Sequence, residues 1–273
     1  TATAKTEPYF DDALTFGANV VSNVWDSKTK KGVITFDGDV TMIGDLAFYS
    51  YSNYSNCKKM TNIYMPNSVV SIGQAAFSHC TNLTDITLPN SILEIGDSAF
   101  SDCYRLKSVT MGNSVNTIGQ YAFSSCSFNS INIPNSVSSI GLGAFEGCSI
   151  ERIIWPDSVT EVGDYMFHNC YHLVEIIIPD SVRSIGGYAF NGCTSLTKMT
   201  LDQKITQIGD YVFGGCTALE KISLGEKMTQ IGNYAFNGCT ALTEMDLSGN
   251  LIQIGSYAFK DCTSLVEVNL GEN

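Results

Sequence analysis

The chain has 273 residues, of which 44% are hydrophobic and 15% charged, a composition typical of a folded protein and not of a disordered one. Aspartate and glutamate number 27 against 15 lysines and arginines, which gives a net charge of −12. This acidic balance, with no basic stripe, excludes a nucleic-acid binder and argues against docking on anionic lipid. A membrane span needs a run of about 18 apolar residues, and the sequence has none, so we predict no membrane insertion.

The N-terminal segment, residues 1–37, lacks the periodicity of the rest of the chain. Asp11 to Trp25 contains several large apolar residues and is compatible with either a short helix or an irregular cap over the first repeat. Gly32 to Phe36 aligns with the strand segment of the later repeats, so we expect it to start the sheet. We therefore predict an N-terminal cap and first strand here, because the terminal units of a repeat array need capping.

Residues 38–273 repeat a single unit every 22 or 23 residues. The unit reads C-T-x-L-T-x-I-x-L-P-x-S-V-x-x-I-G-x-Y-A-F-x-G, and its phenylalanine precedes a cysteine by three residues from Phe77 onward. The first unit is longer, because Phe48 and Cys57 are nine residues apart and enclose an insertion, Tyr49–Asn56. Such regular self-similarity predicts a solenoid, in which neighbouring units complete one another's core.

Each unit contains a strand pattern followed by a turn signal. In Ile86-Thr87-Leu88 the alternation places the two aliphatic residues on one face, and stacked units then form a parallel sheet. The glycine of each Ile-Gly pair marks either a positive φ or a tight packing position. The following Ala-Phe segment is either a short helical turn or a second short strand. Proline ends the strand in five units, because it lacks the N–H that a ladder needs: Pro66, Pro89, Pro134, Pro156 and Pro179.

Over residues 31–273 the unit resembles the repeat of BspA-type (Treponema pallidum-type) leucine-rich-repeat proteins. The resemblance lies in the strand motif L-x-x-I-x-L and in the pattern P-x-S-V-x-x-I-G-x-x-A-F-x-x-C that follows it. The resemblance implies a leucine-rich-repeat solenoid of about ten coils. It has a parallel β-sheet on one face and short irregular, helical or strand segments on the other. Cysteine stands where many leucine-rich repeats carry the asparagine of a ladder.

The C-terminal end stops at Asn273, just after the strand motif Leu265 to Leu270, and no capping pattern follows. We expect this end to be uncapped, so that either a longer chain continues it or a partner covers the sheet edge.

Ten cysteines, one per unit, suggest either a disulfide framework or a column of free thiols. Parallel Cβ directions fit the disulfide dihedral angle poorly, and free cysteine is a good small core residue. We therefore predict a reduced structural ladder.

The sequence gives little support for a metal site or a catalytic site. The segment from His168 to His172 groups two histidines around Cys170, but this cysteine belongs to the ladder and the histidines occupy variable surface positions. We predict no metal site and no cofactor. The chain lacks a nucleophile elbow, a phosphate loop and a zinc-protease motif, so we predict that it is not an enzyme.

Two surfaces are candidate binding sites. The outward strand positions are mostly small and polar, but Ile154 and Ile177 break this pattern in adjacent units. They form either a small binding site with a polar rim or ordinary exposed apolar area. The candidate residues on this face are Arg152, Ile154, Glu175, Ile177, Lys198 and Thr200.

The second surface is a tyrosine stripe at the x-Y-A-F position. Tyrosine is favoured at interfaces, but a residue retained at the repeat spacing is more often structural, so we interpret the stripe first as packing. Its members are Tyr121, Tyr165, Tyr188, Tyr211, Tyr234 and Tyr257.

The resemblance to BspA-type proteins implies adhesion. We therefore expect a non-enzymatic cell-surface or secreted module that binds host matrix or other cell-surface proteins through its extended repeat surface. The main alternative is a structural scaffold that self-assembles, and the second is an enzyme whose site the motifs do not reveal.

Overall fold

The computed structural model describes residues 16–26, 31–49, 60–201, 204–247 and 249–270. From Met42 onward the chain winds into a β-solenoid of about nine turns, in which equivalent residues of successive repeats lie above one another. This confirms the predicted repeat solenoid with stacked parallel strands. The insertion at Tyr49–Asn56 lies outside the described residues except for its first position.

One face carries three-residue strands from the L-x-x-I-x-L motif. In most of them the central residue is buried and its two neighbours are exposed, which is the alternation the sequence predicts. They are β5 Asp85–Thr87, β7 Ser108–Thr110, β9 Ser130–Asn132, β11 Arg152–Ile154, β14 Lys198–Thr200, β16 Lys221–Ser223, β18 Glu244–Asp246 and β20 Glu267–Asn269.

A second face carries two-residue strands, which consist of the isoleucine or valine before the repeat glycine and the residue preceding it. They pair in register from coil to coil. These strands are β3 Met42–Ile43, β4 Ser71–Ile72, β6 Glu94–Ile95, β8 Thr117–Ile118, β10 Ser139–Ile140, β12 Glu161–Val162, β13 Ser184–Ile185, β15 Gln207–Ile208, β17 Gln230–Ile231 and β19 Gln253–Ile254.

The N-terminal segment differs from its prediction. Residues Val20–Asp26, for which a helix or an irregular cap was considered, form strand β1, and Lys31–Phe36 forms strand β2. The two strands pair antiparallel, with Val24 opposite Val33, in a sheet of their own. The expectation that Gly32 to Phe36 starts the parallel sheet is therefore wrong, and the first paired strand of the solenoid is β3. Residues 1–15 lie outside the described residues.

The core is a column of stacked phenylalanine rings. Successive rings lie with their centroids 5.1–6.0 Å apart and their planes within 1–13° of parallel. Leucine, isoleucine, valine and alanine of each coil fill the space around the column in one continuous cluster. The column comprises Phe48, Phe77, Phe100, Phe123, Phe145, Phe167, Phe190, Phe213, Phe236 and Phe259.

The Ala-Phe segment is a series of turns, and the second strand precedes it. Alternate amides bond across to the next coil, as when Phe77 N donates to Ala99 O at 2.8 Å. Of the two roles considered for the repeat glycine, tight packing is correct: a Cβ on Gly255 would lie 2.4 Å from the carbonyl carbon of Gly232. Positive φ occurs two residues later instead, for example at Tyr211 with φ 58°.

The cysteines form a column of hydrogen-bonded thiols. In each described coil the Sγ donates to the carbonyl oxygen of the phenylalanine in the preceding coil, at 3.0–3.4 Å. The nine described cysteines are thiols outside any disulfide, as the reduced ladder predicts for them, and Cys57 lies outside the described residues. Burial raises the pKa of the Cys148 and Cys216 thiols to about 12.

Candidate binding surfaces

The isoleucine pair, Ile154 and Ile177, points away from the core. Ile154 ends strand β11 and is 64% exposed, and Ile177 in the next coil is 78% exposed. Their strand neighbours Ile153 and Ile176 point inward and pack against the core. Two large exposed aliphatic side chains therefore occupy equivalent positions of adjacent coils, on a face whose other outward positions are mostly polar.

Charged and polar side chains surround this pair. Arg152 precedes Ile154 on β11, and Lys198 and Thr200 flank the pair from β14, all with exposed side chains. Lys198 Nζ lies 3.7 Å from Glu175 Oε1, and both groups are open to solvent, so water screens this ion pair. The structure thus brings the six predicted residues of this surface together on one face.

Val174 also belongs to this surface, and the sequence analysis did not include it. Its side chain is exposed beside Glu175, in a position that holds polar Thr84 and Thr197 in other coils. Comparison of equivalent positions across the repeats would have identified it, because valine replaces threonine there.

The sheet is interrupted beneath the isoleucine pair. Residues 175–178 are the one strand motif between β5 and β20 that forms no described strand. Within the described residues, the backbone groups of 175–178 make no hydrogen bond to a neighbouring coil. On the second face the ladder breaks between β10 and β12. Among the described strands of the first face, pairing is also absent between β7 and β9 and between β16 and β18. The unpaired motif and the second-face break both border the coil of residues 149–170, which we call the irregular coil.

Two oversized side chains distinguish the irregular coil from the other coils. Trp155 occupies the position of Leu88 or Leu201, and its ring meets Phe167 edge-on at 5.5 Å. Met166 occupies the alanine position of the Ala-Phe segment and is fully buried. The indole Nε1 of Trp155 is buried without a hydrogen-bond partner. A close-packed core has little room for this extra volume, and the ring centroids of Phe145 and Phe167, on the preceding side of this coil, lie 5.9 Å apart.

The tyrosine stripe consists of a continuous column and one separate ring. The tyrosine column comprises five parallel rings with centroids 4.7–5.0 Å apart, and their tilt does not exceed 21°. Tyr121 stands apart, because Gly143 replaces the next tyrosine and lies directly against the Tyr121 ring. The members of the column are Tyr165, Tyr188, Tyr211, Tyr234 and Tyr257.

The histidine segment has other partners. His168 Nδ1 lies 2.8 Å from Glu146 Oε1, the Cys170 thiol donates to Phe145 O, and the His172 side chain is exposed. Among the described residues, no three histidine, cysteine or acidic side chains are grouped as ligands of a metal ion. Within the same ranges, no helix is long and apolar enough to cross a bilayer.

Solved structures of bacterial repeat proteins share this fold. A leucine-rich repeat protein from Bacteroides ovatus is 27% identical over 97% of this chain and 82% of that chain, with a TM-score of 0.50. One from Eubacterium ventriosum is 24% identical over 93% of this chain and 71% of that chain, with a TM-score of 0.67. A leucine rich cell surface protein from Faecalibacterium prausnitzii is 20% identical over 90% and 92%, with a TM-score of 0.51. A comparison with curated proteins finds no match.

The sequence also matches a family model. The model describes a BspA type leucine rich repeat region of six copies, and it matches residues 50–174 and 160–273. These ranges include most of the solenoid, the isoleucine pair and the tyrosine column. The chain belongs to the BspA-type leucine-rich-repeat family.

Proposed function

We propose that this protein is a non-enzymatic, adhesin-like binding module, located at the cell surface or secreted, which recognises a protein partner through the strand face around the isoleucine pair. The observation that carries the proposal is the exposure of Ile154 and Ile177 in adjacent coils of a sheet face whose outward positions are mostly polar. Exposed aliphatic pairs with a charged rim are typical of the centre of a protein interface.

The arrangement of this face supports protein binding in two ways. Burying an exposed aliphatic side chain contributes about 1.5–3 kcal/mol, so the pair supplies a useful part of a binding energy. Arg152, Glu175 and Lys198 stand at the edge of the apolar area, where charges contribute mainly to orientation and specificity. Both signs of charge are present, which suits a partner with a mixed polar rim.

Two parts of the proposal, the location at the cell surface and the class of ligand, rest on the family and not on the geometry of the isoleucine pair. The Faecalibacterium prausnitzii structure is described as that of a cell surface protein, but at 20% identity it shows a shared fold alone. The proposed ligand class, host matrix or another cell-surface protein, likewise comes from the family resemblance.

The test compares two double variants against immobilised fibronectin, laminin and collagen as probes. Ile154→Lys with Ile177→Lys should weaken binding at least tenfold, about 1.4 kcal/mol, because two charges replace the apolar centre. The matched control, Thr87→Lys with Thr110→Lys, changes equivalent exposed positions on β5 and β7 and should bind like the unchanged protein. Equal losses in both variants, or no binding of the unchanged protein to any probe, would contradict the proposal.

A further inference from the structure

An open groove lies between β7 and β9 and extends into the turns that follow these two strands. The strands belong to successive coils, but within the described ranges no backbone hydrogen bond joins them. Before the strands, Ser127 Oγ donates to Tyr104 O at 2.6 Å. After them, Ser136 Oγ donates to Val115 O at the same distance, 2.6 Å. The groove is therefore a local gap between two coils that are tied together at both of its ends.

The size and the floor of the groove suit a small ligand. Its volume is about 640 Å³, which lies within the range of about 300–1,000 Å³ that is common for small-molecule sites. Met111 and Ile133, which are 9% and 2% exposed, form an apolar floor, and the half-buried Pro134 lies beside them. A ligand can therefore bury C–H groups at the bottom of this groove.

Three asparagines line the groove with uncommitted amide groups. Asn113, Asn132 and Asn135 are exposed, and none of their side-chain amides has a hydrogen-bond partner within the described part of the chain. The backbone N–H of Asn113 donates to Asn90 Oδ1 at 3.0 Å, which holds the turn that carries this side chain. Each side-chain amide offers both N–H donors and a carbonyl acceptor. The groove thus combines three donor and acceptor groups with an apolar floor.

The lining of the groove is uncharged, unlike that of a second gap in the same face. Between β16 and β18, which also do not pair, Lys221 Nζ lies 2.9 Å from Glu244 Oε1. An ion pair therefore bridges that gap, whereas none of the described residues that line the groove between β7 and β9 is charged. A charged ligand would find no counter-ion there, so the lining favours a neutral ligand.

A sugar matches this combination of groups. Each sugar hydroxyl both donates and accepts a hydrogen bond, and a primary amide does the same, so the two pair without leaving a group unsatisfied. The C–H groups of the sugar ring provide the apolar surface that the floor requires. An extended peptide also carries donors and acceptors, but its recognition uses separate pockets for alternate side chains, and one short groove does not supply them.

We propose that the groove between β7 and β9 binds a short neutral oligosaccharide. The hydroxyl groups of the sugar bond to the amides of Asn113, Asn132 and Asn135, and its C–H groups pack on Met111 and Pro134. This ligand differs in class from the protein partner of the isoleucine pair, so the proposal does not rest on that function. The two surfaces adjoin, because Asn132 is paired in register with Ile154.

The experiment titrates the whole chain with four neutral trisaccharides, maltotriose, cellotriose, mannotriose and triacetylchitotriose, by isothermal titration calorimetry. We expect saturable binding of at least one, which Asn113→Ala with Asn135→Ala weakens at least tenfold, because two amides are lost. Neither residue has a positive φ, so alanine fits both turns. Asn62→Ala with Asn67→Ala is the matched control, because it removes two exposed amides from an earlier coil, and it should bind like the unchanged protein.

Three results would overturn the proposal. They are no binding of any of the four trisaccharides, equal losses in the two double variants, and tighter binding of the uncharged peptide acetyl-tetraalanine amide, which would assign the groove to a peptide. A thermal melt checks that each variant is folded. Where Asn113→Ala with Asn135→Ala fails to fold, Asn135→Ala alone should weaken binding at least threefold. Unchanged binding in that single variant would equally count against the site.

Discussion

The coils after Ser184 and the irregular coil are built from one repeat, but they stack differently. Between Phe190 and Phe259 successive ring centroids lie 5.3–5.6 Å apart, and the second-face ladder from β13 to β19 is continuous. Between Phe123 and Phe167 the two successive separations reach 6.0 and 5.9 Å, and the second-face ladder is interrupted between β10 and β12, whereas the first-face strands pair two by two in both regions. The difference shows that coil spacing follows side-chain volume and unit length more than the strand motif.

The sequence change behind this difference is small. The irregular coil has 22 residues between Cys148 and Cys170, one fewer than the coils that follow it, and it holds Trp155 and Met166 in place of leucine and alanine. A Cβ on Gly163 would meet nothing closer than the Met166 methyl at 3.5 Å, whereas the other coils leave no such space. We attribute this extra space above Gly163 to the larger side chains of the irregular coil, since the equivalent glycines of the other coils lie in close contact with the preceding coil.

The largest expected effect is the loss of a core ring in the regular coils. Phe190→Ala should lower the free energy of unfolding by about 3–5 kcal/mol, because it leaves a cavity in a fully buried column. Phe167→Ala should cost about 1 kcal/mol less, because Trp155 lies against Phe167 and the looser coil can close around the gap. Urea denaturation of both variants measures this. A larger loss for Phe167→Ala would contradict our account of the irregular coil.

The next effect is the dependence of stability on pH. Burial raises the pKa of Cys216 to about 12 from the ordinary value of 9.0, so the native thiol keeps its proton where the unfolded thiol loses it. The stabilisation is complete below pH 9 and declines as pH rises toward 12, by about 1.4 kcal/mol per pH unit for each such thiol. Denaturation curves at pH 8, 9 and 10 measure this slope.

Variants of two cysteines connect this slope to the comparison of coils. Cys216→Ala and Cys148→Ala should each reduce the slope by one thiol's share, because burial raises both pKa values to about 12. A smaller reduction for Cys148→Ala would show that water reaches the thiol beside the irregular coil. No reduction for either variant would contradict burial of the thiols as the cause of the slope.

Amide exchange should reveal the interrupted ladder directly. The amides of Ile176 and Ile178 have no hydrogen bond to a neighbouring coil, whereas Leu201 N donates to Ser223 O at 2.9 Å. We expect exchange at the two isoleucines to be at least tenfold faster than at Leu201. Trp155→Leu should slow it, since leucine restores the repeat volume and removes the unpaired indole N–H. Exchange that stays fast in this variant would exclude Trp155 as the cause.

The smallest expected effect concerns the isoleucine pair. Ile154→Lys with Ile177→Lys should change the free energy of unfolding by no more than about 0.5 kcal/mol per site, because both side chains already face solvent. Urea denaturation measures it beside Thr87→Lys with Thr110→Lys. A loss near that of Phe190→Ala would mean that the isoleucines point inward.

The sequence predicted the features that depend on one residue type at a fixed spacing. The repeat unit and the outward direction of Ile154 and Ile177 follow from periodicity, and the thiol ladder follows from periodicity together with disulfide geometry. The sequence did not predict the antiparallel pairing of β1 with β2, because the pattern of Gly32 to Phe36 indicates a strand without indicating which strand it pairs with. The role of the repeat glycine was ambiguous, since glycine serves both tight packing and positive φ.

The missing strand at residues 175–178 could not be predicted from the sequence, for a different reason. Its strand motif, Leu173 to Ile178, satisfies the repeat, and we attribute the interruption to the larger side chains Trp155 and Met166 in the preceding coil. Strand pairing between coils depends on their separation, which is a collective result of packing and not a property of one motif. The binding roles of the isoleucine pair and the tyrosine column stay predictions.

The hydrogen-bonded thiols also determine how the chain behaves in an oxidising compartment. Disulfide exchange begins with attack by a thiolate, and a buried thiol such as Cys216, whose pKa is about 12, is almost never ionised at neutral pH. The buried thiols of the folded solenoid therefore resist air and glutathione disulfide, while the unfolded chain exposes ten ordinary cysteines. In an oxidising compartment, the coils would have to stack before random disulfides form between the cysteines.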